Sequence, residues 1–183
     1  MKRISLDELL HSRDERAAMQ QSFLKEHPEG TLLCLTVQLP GEVKRSAESL
    51  VVAEAAVEAI REMFPERSFE LLRDLETGFE GYFVVPLEPM DAKRAAIGIE
   101  DEHPLGRLMD IDVIIASPAS DDGHVDGAAQ GVHPIPRSAV GAPERRCLIC
   151  SRPARICMRA RTHTTAELLA AVSALVSSWR LTD

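Results

Sequence analysis

The sequence predicts an α+β fold built on an antiparallel-rich sheet, and three observations carry that prediction. Strand-length runs of aliphatic and β-branched residues are interleaved with longer runs whose apolar residues recur at helical spacing. Their order is helix, strand, helix, strand, strand, helix, strand, followed after a break by a last helix. The chain of 183 residues has the length of one domain, residues 1–183, and is long enough to bury a hydrophobic core.

The first helix opens at "ISLDE", where Ser5 is placed to cap it, Glu8 stands at the capping-box position and Ile4 can pack on Leu9. It should run to about Lys25 and stop before His27-Pro28. "TLLCLTVQLP" reads as a strand closed by Pro40-Gly41. In "SAESLVVAEAAVEAIREMF", Leu50, Ala53, Val57, Ile60 and Phe64 recur at helical spacing, and Pro65 ends the run. "SFELLRDLE" and "GYFVVPL" read as two strands joined by a turn at Thr77-Gly78. "PMDAKRAAIGIE" is a shorter helix and "LMDIDVII" the last strong strand. These last six elements follow the split βαβ order, of ferredoxin-like or nucleotidyltransferase-like type, with extra helices at the N- and C-terminal ends. Residues 117–142, dense in Ala, Gly, Ser, Pro and Asp, read as a long mobile loop with one short strand. The compact Cys- and Arg-rich segment 145–163 follows. A capping box of Thr164 and Glu167 then starts the last helix, with Leu168, Val172, Leu175, Val176 and Trp179 on one face.

A formal charge of −8 disfavours generic binding to nucleic acid or to an anionic membrane, since both need a dominant positive field. No stretch approaches the roughly 20 apolar residues of a membrane span or the make-up of a signal peptide. The four cysteines do not resemble a secreted disulfide framework, so the expected location is the cytoplasm.

Three constellations can carry chemistry. In "EDEHPLGRLMDIDVII", strand alternation turns Met109, Ile111, Val113 and Ile115 to one face and Asp110 and Asp112 together to the other. Carboxylates about 7 Å apart along a strand can share a divalent cation, and magnesium favours one or two carboxylates with phosphate oxygens completing its shell. A solvated edge strand is the bland alternative. The preceding turn adds Gly106, which would let backbone approach a ligand, with Arg107 for anion binding and His103 as a possible acid or base. On the first helix Leu6, Leu10, Ala17 and Leu24 form a stripe, with Arg13 at its centre, Gln20 beside it and Arg16 at its edge. Such an arginine needs a buried carboxylate or a ligand phosphate. Third, "ERRCLICSRPARICMRARTH" gathers six arginines and sets Cys147, Cys150, Cys157 and His163 as the ligand types of a Cys3His zinc site, or as small buried cysteines under a helix start.

Together, "LLHSRDERAAMQ", "EDEHPLGRLMDIDVI" and "RRCLICSRPARICMRARTH" resemble the CitX family, the holo-acyl-carrier-protein synthases of citrate lyase, also called apo-citrate lyase phosphoribosyl-dephospho-CoA transferases. The stretch between Ala116 and Ala142 looks longer than is usual there, and Met109 stands where Trp is expected. The resemblance implies a nucleotidyltransferase-type reaction in which triphosphoribosyl-dephospho-CoA gives its phosphoribosyl-dephospho-CoA group to a serine of the citrate lyase acyl carrier protein, releasing pyrophosphate. On that reading Asp110 and Asp112 hold magnesium, and Arg13, Arg16 and Arg107 meet the triphosphate. His103 or an aspartate takes the serine proton, and the arginine cluster, including Arg146 and Arg155, meets the dephospho-CoA phosphates or the carrier. The alternatives are a non-catalytic, zinc-stabilised module docking an acidic partner, and a synthase of the donor itself.

Overall fold

The computed structural model describes residues 1–116 and 131–181. Helix α1 (Leu6–Glu26) leads into strand β1 (Thr31–Val37), helix α2 (Ala47–Met63) and the hairpin of β2 (Phe69–Leu75) and β3 (Gly78–Val85). Helix α3 (Pro89–Glu102), a 3-10 turn over Gly106–Leu108 and strand β4 (Met109–Ala116) follow. After residues 117–130, which fall in the expected loop and lie outside the described residues, come β5 (Val132–Pro134), a 3-10 turn over Arg137–Val140, α4 (Ala154–Arg159) and α5 (Thr165–Arg180). The expected short strand is β5. Among the described residues no helix is long and apolar enough to cross a membrane.

Local chemistry sets the ends of these elements. Full capping boxes start α1 (Ser5 with Glu8), α2 (Ser46 with Ser49) and α5 (Thr164 with Glu167). Each satisfies two backbone N–H groups that the first helical turn would otherwise leave free.

The sheet order is β2-β3-β1-β4-β5, every neighbouring pair antiparallel. Both crossovers, β1-α2-β2 and β3-α3-β4, skip one strand, which is the split βαβ arrangement expected from the element order. Alternation then divides the core. Leu33, Leu35, Phe83, Val85, Ile111 and Val113 pack under α2, α3 and α5, while Leu32, Cys34, Tyr82, Val84 and Ile114 pack under α1.

Helix α1 is turned differently from the expected stripe. Leu6 is 69% and Leu10 46% exposed, and Arg13 is exposed with them; the inward face carries Ser12, Arg16, Met19 and Phe23. Two interactions set this rotation. Phe23 stacks on Phe69 and Tyr82 with ring centroids 4.8 and 5.2 Å apart, and Arg16 Nε donates to Glu80 Oε1 at 2.9 Å. Glu80 is 2% exposed, and an ionised carboxylate at that depth costs several kcal/mol unless it is paired. Arg16, Arg73 and the Tyr82 hydroxyl pair it.

Candidate active site

Asp110 and Asp112 share the face of β4 that looks toward α1, opposite Thr36 and Cys34 of β1 in the antiparallel register. Asp110 accepts from Gln38 Nε2 at 2.9 Å and from Arg145 Nη1 at 3.0 Å, and Lys93 Nζ stands 3.5 Å from Asp112 Oδ1. These three side chains compensate the carboxylates. Compensation at Asp112 is incomplete: burial, and after it the neighbouring Asp110 charge, pushes its pKa above the ordinary range despite Lys93. Because β5 pairs only with Ile114–Ala116, the backbone at Ile111 lies beyond that pairing. Two buried charged residues of α3 satisfy it, as Ile111 N–H donates to Glu100 Oε1 at 2.8 Å and Lys93 Nζ donates to the Ile111 carbonyl at 3.2 Å. Arg137 in turn donates to Glu100 at 2.7 Å and to Asp101, so the stretch after β5 is tied to the end of α3.

Asp110 opens onto a cleft of about 880 Å3. Arg107, Arg145, Arg146 and Arg161 supply its positive charge, and Leu108, Leu148, Met158 and Leu168 its apolar walls. A second depression of about 130 Å3 adjoins it, lined by Arg13, Arg16 and Lys44, and Gln38 belongs to both. The structure therefore brings Asp110, Arg107 and Arg146 into one cleft and sets Arg13 and Arg16 in a neighbouring one. Asp112, two residues further along β4, does not line the cleft.

In the turn before β4, Gly106 and His103 both have packing roles. A Cβ on Gly106 would lie 2.4 Å from the Glu100 carbonyl oxygen and 2.8 Å from that of Ile99. Glycine is needed there for the turn to pack on the end of α3. His103 caps α3, accepts the Leu105 N–H on Nδ1 at 3.0 Å and packs its ring on Trp179 at 4.8 Å. Its acceptor nitrogen is committed to the turn, burial lowers its pKa, and it does not line the cleft. Arg107 does line it. Burial lowers its pKa as well, and its Nε has no hydrogen-bond partner among the described residues, which suits a ligand oxygen.

The Cys- and Arg-rich segment forms one wall of the cleft. The Cys147 N–H donates to the Arg152 carbonyl at 2.7 Å and Arg146 bridges to Pro153, closing a tight loop. That loop brings ligand atoms of Cys147, Cys150, Cys157 and His163 within 4.8 Å of one another. The Cys150–Cys157 sulfur separation is 3.5 Å, and His163 Nε2 is 3.4 Å from the Cys150 sulfur. A tetrahedral zinc ion with Zn–S near 2.3 Å places its sulfurs about 3.8 Å apart, so the set fits one metal ion. The His163 hydrogen bond, with further help from Arg152, lowers the Cys150 pKa to about 6, giving a thiolate suited to ligation. Cys34 is the opposite case, a buried thiol pushed up to about 12 by desolvation. Arg155 is exposed, pairs with Glu144 at 2.7 Å and does not line the cleft.

The family model for CitX, described as apo-citrate lyase phosphoribosyl-dephospho-CoA transferase, matches residues 4–179. The chain belongs to the CitX family. A protein of Streptococcus pyogenes serotype M18 named probable apo-citrate lyase phosphoribosyl-dephospho-CoA transferase is 36% identical over 178 residues, covering 96% of this chain and 87% of the relative. A protein of the same name from Vibrio cholerae serotype O1 is 37% identical over 182 residues, covering 96% of this chain and 93% of the relative.

Several residues that shape this CitX site carry no local signal. Gln38, Lys93, Glu100 and Arg137 reach the start of β4 or the helix beside it from other elements, up to 72 positions away in the chain. Arg145 stood out only as one of six arginines. In the structure its guanidinium holds Asp110, the Gly106 carbonyl at 3.2 Å and the Met109 carbonyl.

Proposed function

We propose that this chain transfers the phosphoribosyl-dephospho-CoA group from its triphosphate precursor to a serine of the citrate lyase acyl carrier protein, with release of pyrophosphate. What supports the reading is one cleft, in a CitX-family chain, that joins Asp110 of the acidic strand pair to four arginines. Hydroxyl attack on the innermost phosphate of a triphosphate needs positioning and positive charge around the phosphates. Arg107, with its unpartnered Nε, is suited to phosphate oxygens. Arg145 orients Asp110 and fixes the β4 start against the cleft wall. Arg146 and Arg161 meet the donor in the cleft, and Arg155, outside it, faces the carrier.

Asp110 and Asp112 fit magnesium. They are two carboxylates on one strand face; burial, and after it the Asp110 charge, raises the proton affinity of Asp112, and a divalent cation would offset that repulsion. When bound, magnesium would supply charge neutralisation on the phosphates. The Cys3His set fits zinc, which would hold the segment 147–163 in its shape. The whole reaction is assigned to one domain in the cytoplasm, where four unpaired cysteines are at home.

The test is direct. The protein is incubated with apo carrier, the triphosphoribosyl donor and magnesium, and the carrier mass should rise by the donor less pyrophosphate. An unchanged mass with a folded carrier overturns the reading. Stoichiometric zinc without any magnesium-dependent transfer would favour a non-catalytic docking module instead.

A further inference from the structure

Two cavities of unequal size and chemistry meet at one residue. The larger, of about 880 Å3, combines aliphatic walls with arginines and suits an extended, partly apolar group; the smaller, of about 130 Å3, is polar and cationic. Gln38 lines both and donates to Asp110, so the boundary between them lies beside that carboxylate.

Of the three cations that line the smaller depression, Arg16 alone is paired with an acid among the described residues. The one acid there, Glu80, is already paired with Arg16 and Arg73. Lys44 donates to the Leu39 carbonyl at 2.6 Å, and among the described residues neither Lys44 nor Arg13 has an acidic partner. Half-buried ammonium without a counter-ion is unfavourable. The loop that carries Lys44 is tethered, because the Ile4 N–H donates to the Glu42 carbonyl at 2.9 Å.

We infer that this depression seats the departing pyrophosphate, held by Lys44 and Arg13, while the larger cleft keeps the dephospho-CoA part of the donor. The inference rests on the transferase reading above. In the step concerned the serine oxygen forms a bond to the innermost phosphorus and the bond from that phosphorus to the bridging oxygen breaks. The electron pair of the broken bond leaves with pyrophosphate, and the hydroxyl proton is lost to solvent. With the leaving group in the depression, in-line attack brings the serine from the side of the larger cleft.

Calorimetric titration of magnesium pyrophosphate into the full chain tests this without any turnover. Lys44→Met and Arg13→Gln should each weaken pyrophosphate binding at least about tenfold, the loss of one charge-assisted contact, and leave dephospho-CoA binding unchanged. Arg13 is exposed, so that variant should fold even if Lys44→Met does not. Wild-type pyrophosphate affinity in Arg13→Gln and in a folded Lys44→Met overturns the inference, as does competition between pyrophosphate and dephospho-CoA for one site. Binding that depends on Lys44 and Arg13 in a protein that transfers nothing to the carrier leaves the subsite standing and refutes the reaction. Transfer with unaltered pyrophosphate inhibition in both variants does the reverse.

Discussion

Asp112 concentrates the conflict between folding and chemistry. Its carboxyl is half-buried beside Asp110, and burial, then that neighbour, raises its pKa above the ordinary 3.8. A raised carboxylate pKa means that the folded state binds the proton more tightly than the unfolded chain. The folded protein is therefore penalised above the folded pKa, and the penalty fades as pH falls through it toward the ordinary value. In protein stripped of divalent metal, Asp112→Asn should melt at a higher temperature than wild type at pH 7, with the gain shrinking toward pH 4. Thermal melts across that range check it. A variant that melts lower at pH 7, with a gap that widens in acid, would contradict the account. Transfer activity should fall by about two orders of magnitude or more in Asp112→Asn and in Asp110→Asn, in keeping with loss of a charge-stabilising group. Gly106 shows the contrary case, where a residue that looks functional in the sequence is explained by packing. With the Glu100 carbonyl 2.4 Å from any Cβ, only glycine lets the turn close.

At the scale of elements, the segment from Cys147 to His163 has too little apolar content to hold its own shape. Within it α4 has six residues and buries only Cys157, while Ile149, Ile156 and Met158 remain 41%, 47% and 74% exposed. A metal ion on the Cys3His set would replace the missing core. The purified protein should contain about one zinc per chain by metal analysis. Stripping it should lower the melting temperature by roughly 10 °C and expose Cys150 to rapid alkylation at neutral pH. Zinc far below stoichiometric amounts, with an unchanged melt after chelation, would refute the assignment. The first helix teaches a different lesson about elements. Its leucine spacing suggests one buried face, yet Phe23 and the Arg16–Glu80 pair select another. Propensity and spacing identify a helix far better than they identify which way it turns, because the partner face casts the deciding vote.

Across the whole molecule charge is segregated. Residues 144–163 hold six arginines against one glutamate, a net +5 in a chain of −8. That polarity turns one end of an acidic protein toward acidic partners and repels them elsewhere. The kcat/KM for the carrier should therefore fall by roughly fivefold or more as ionic strength rises from about 50 to 300 mM. Steady-state kinetics at several salt concentrations measures this, and a flat profile would remove the arginine segment from carrier docking. The fold itself was legible because six elements in one order leave few ways to close an antiparallel sheet. The family was legible from three separate motifs.

By itself the sequence determined the element order, the capping boxes, the common face of Asp110 and Asp112, and the ligand types of the Cys3His set. Each of these depends on residues close together in the chain, where backbone periodicity dictates geometry. Only the tertiary structure decided that Arg145, Gln38 and Lys93 compensate the aspartates, that His103 belongs to a packed turn, and that Arg13 faces a separate depression with Lys44. Those relations join residues dozens of positions apart. They are settled by which helix face the sheet selects and where its edge is left open, and no local spacing encodes either.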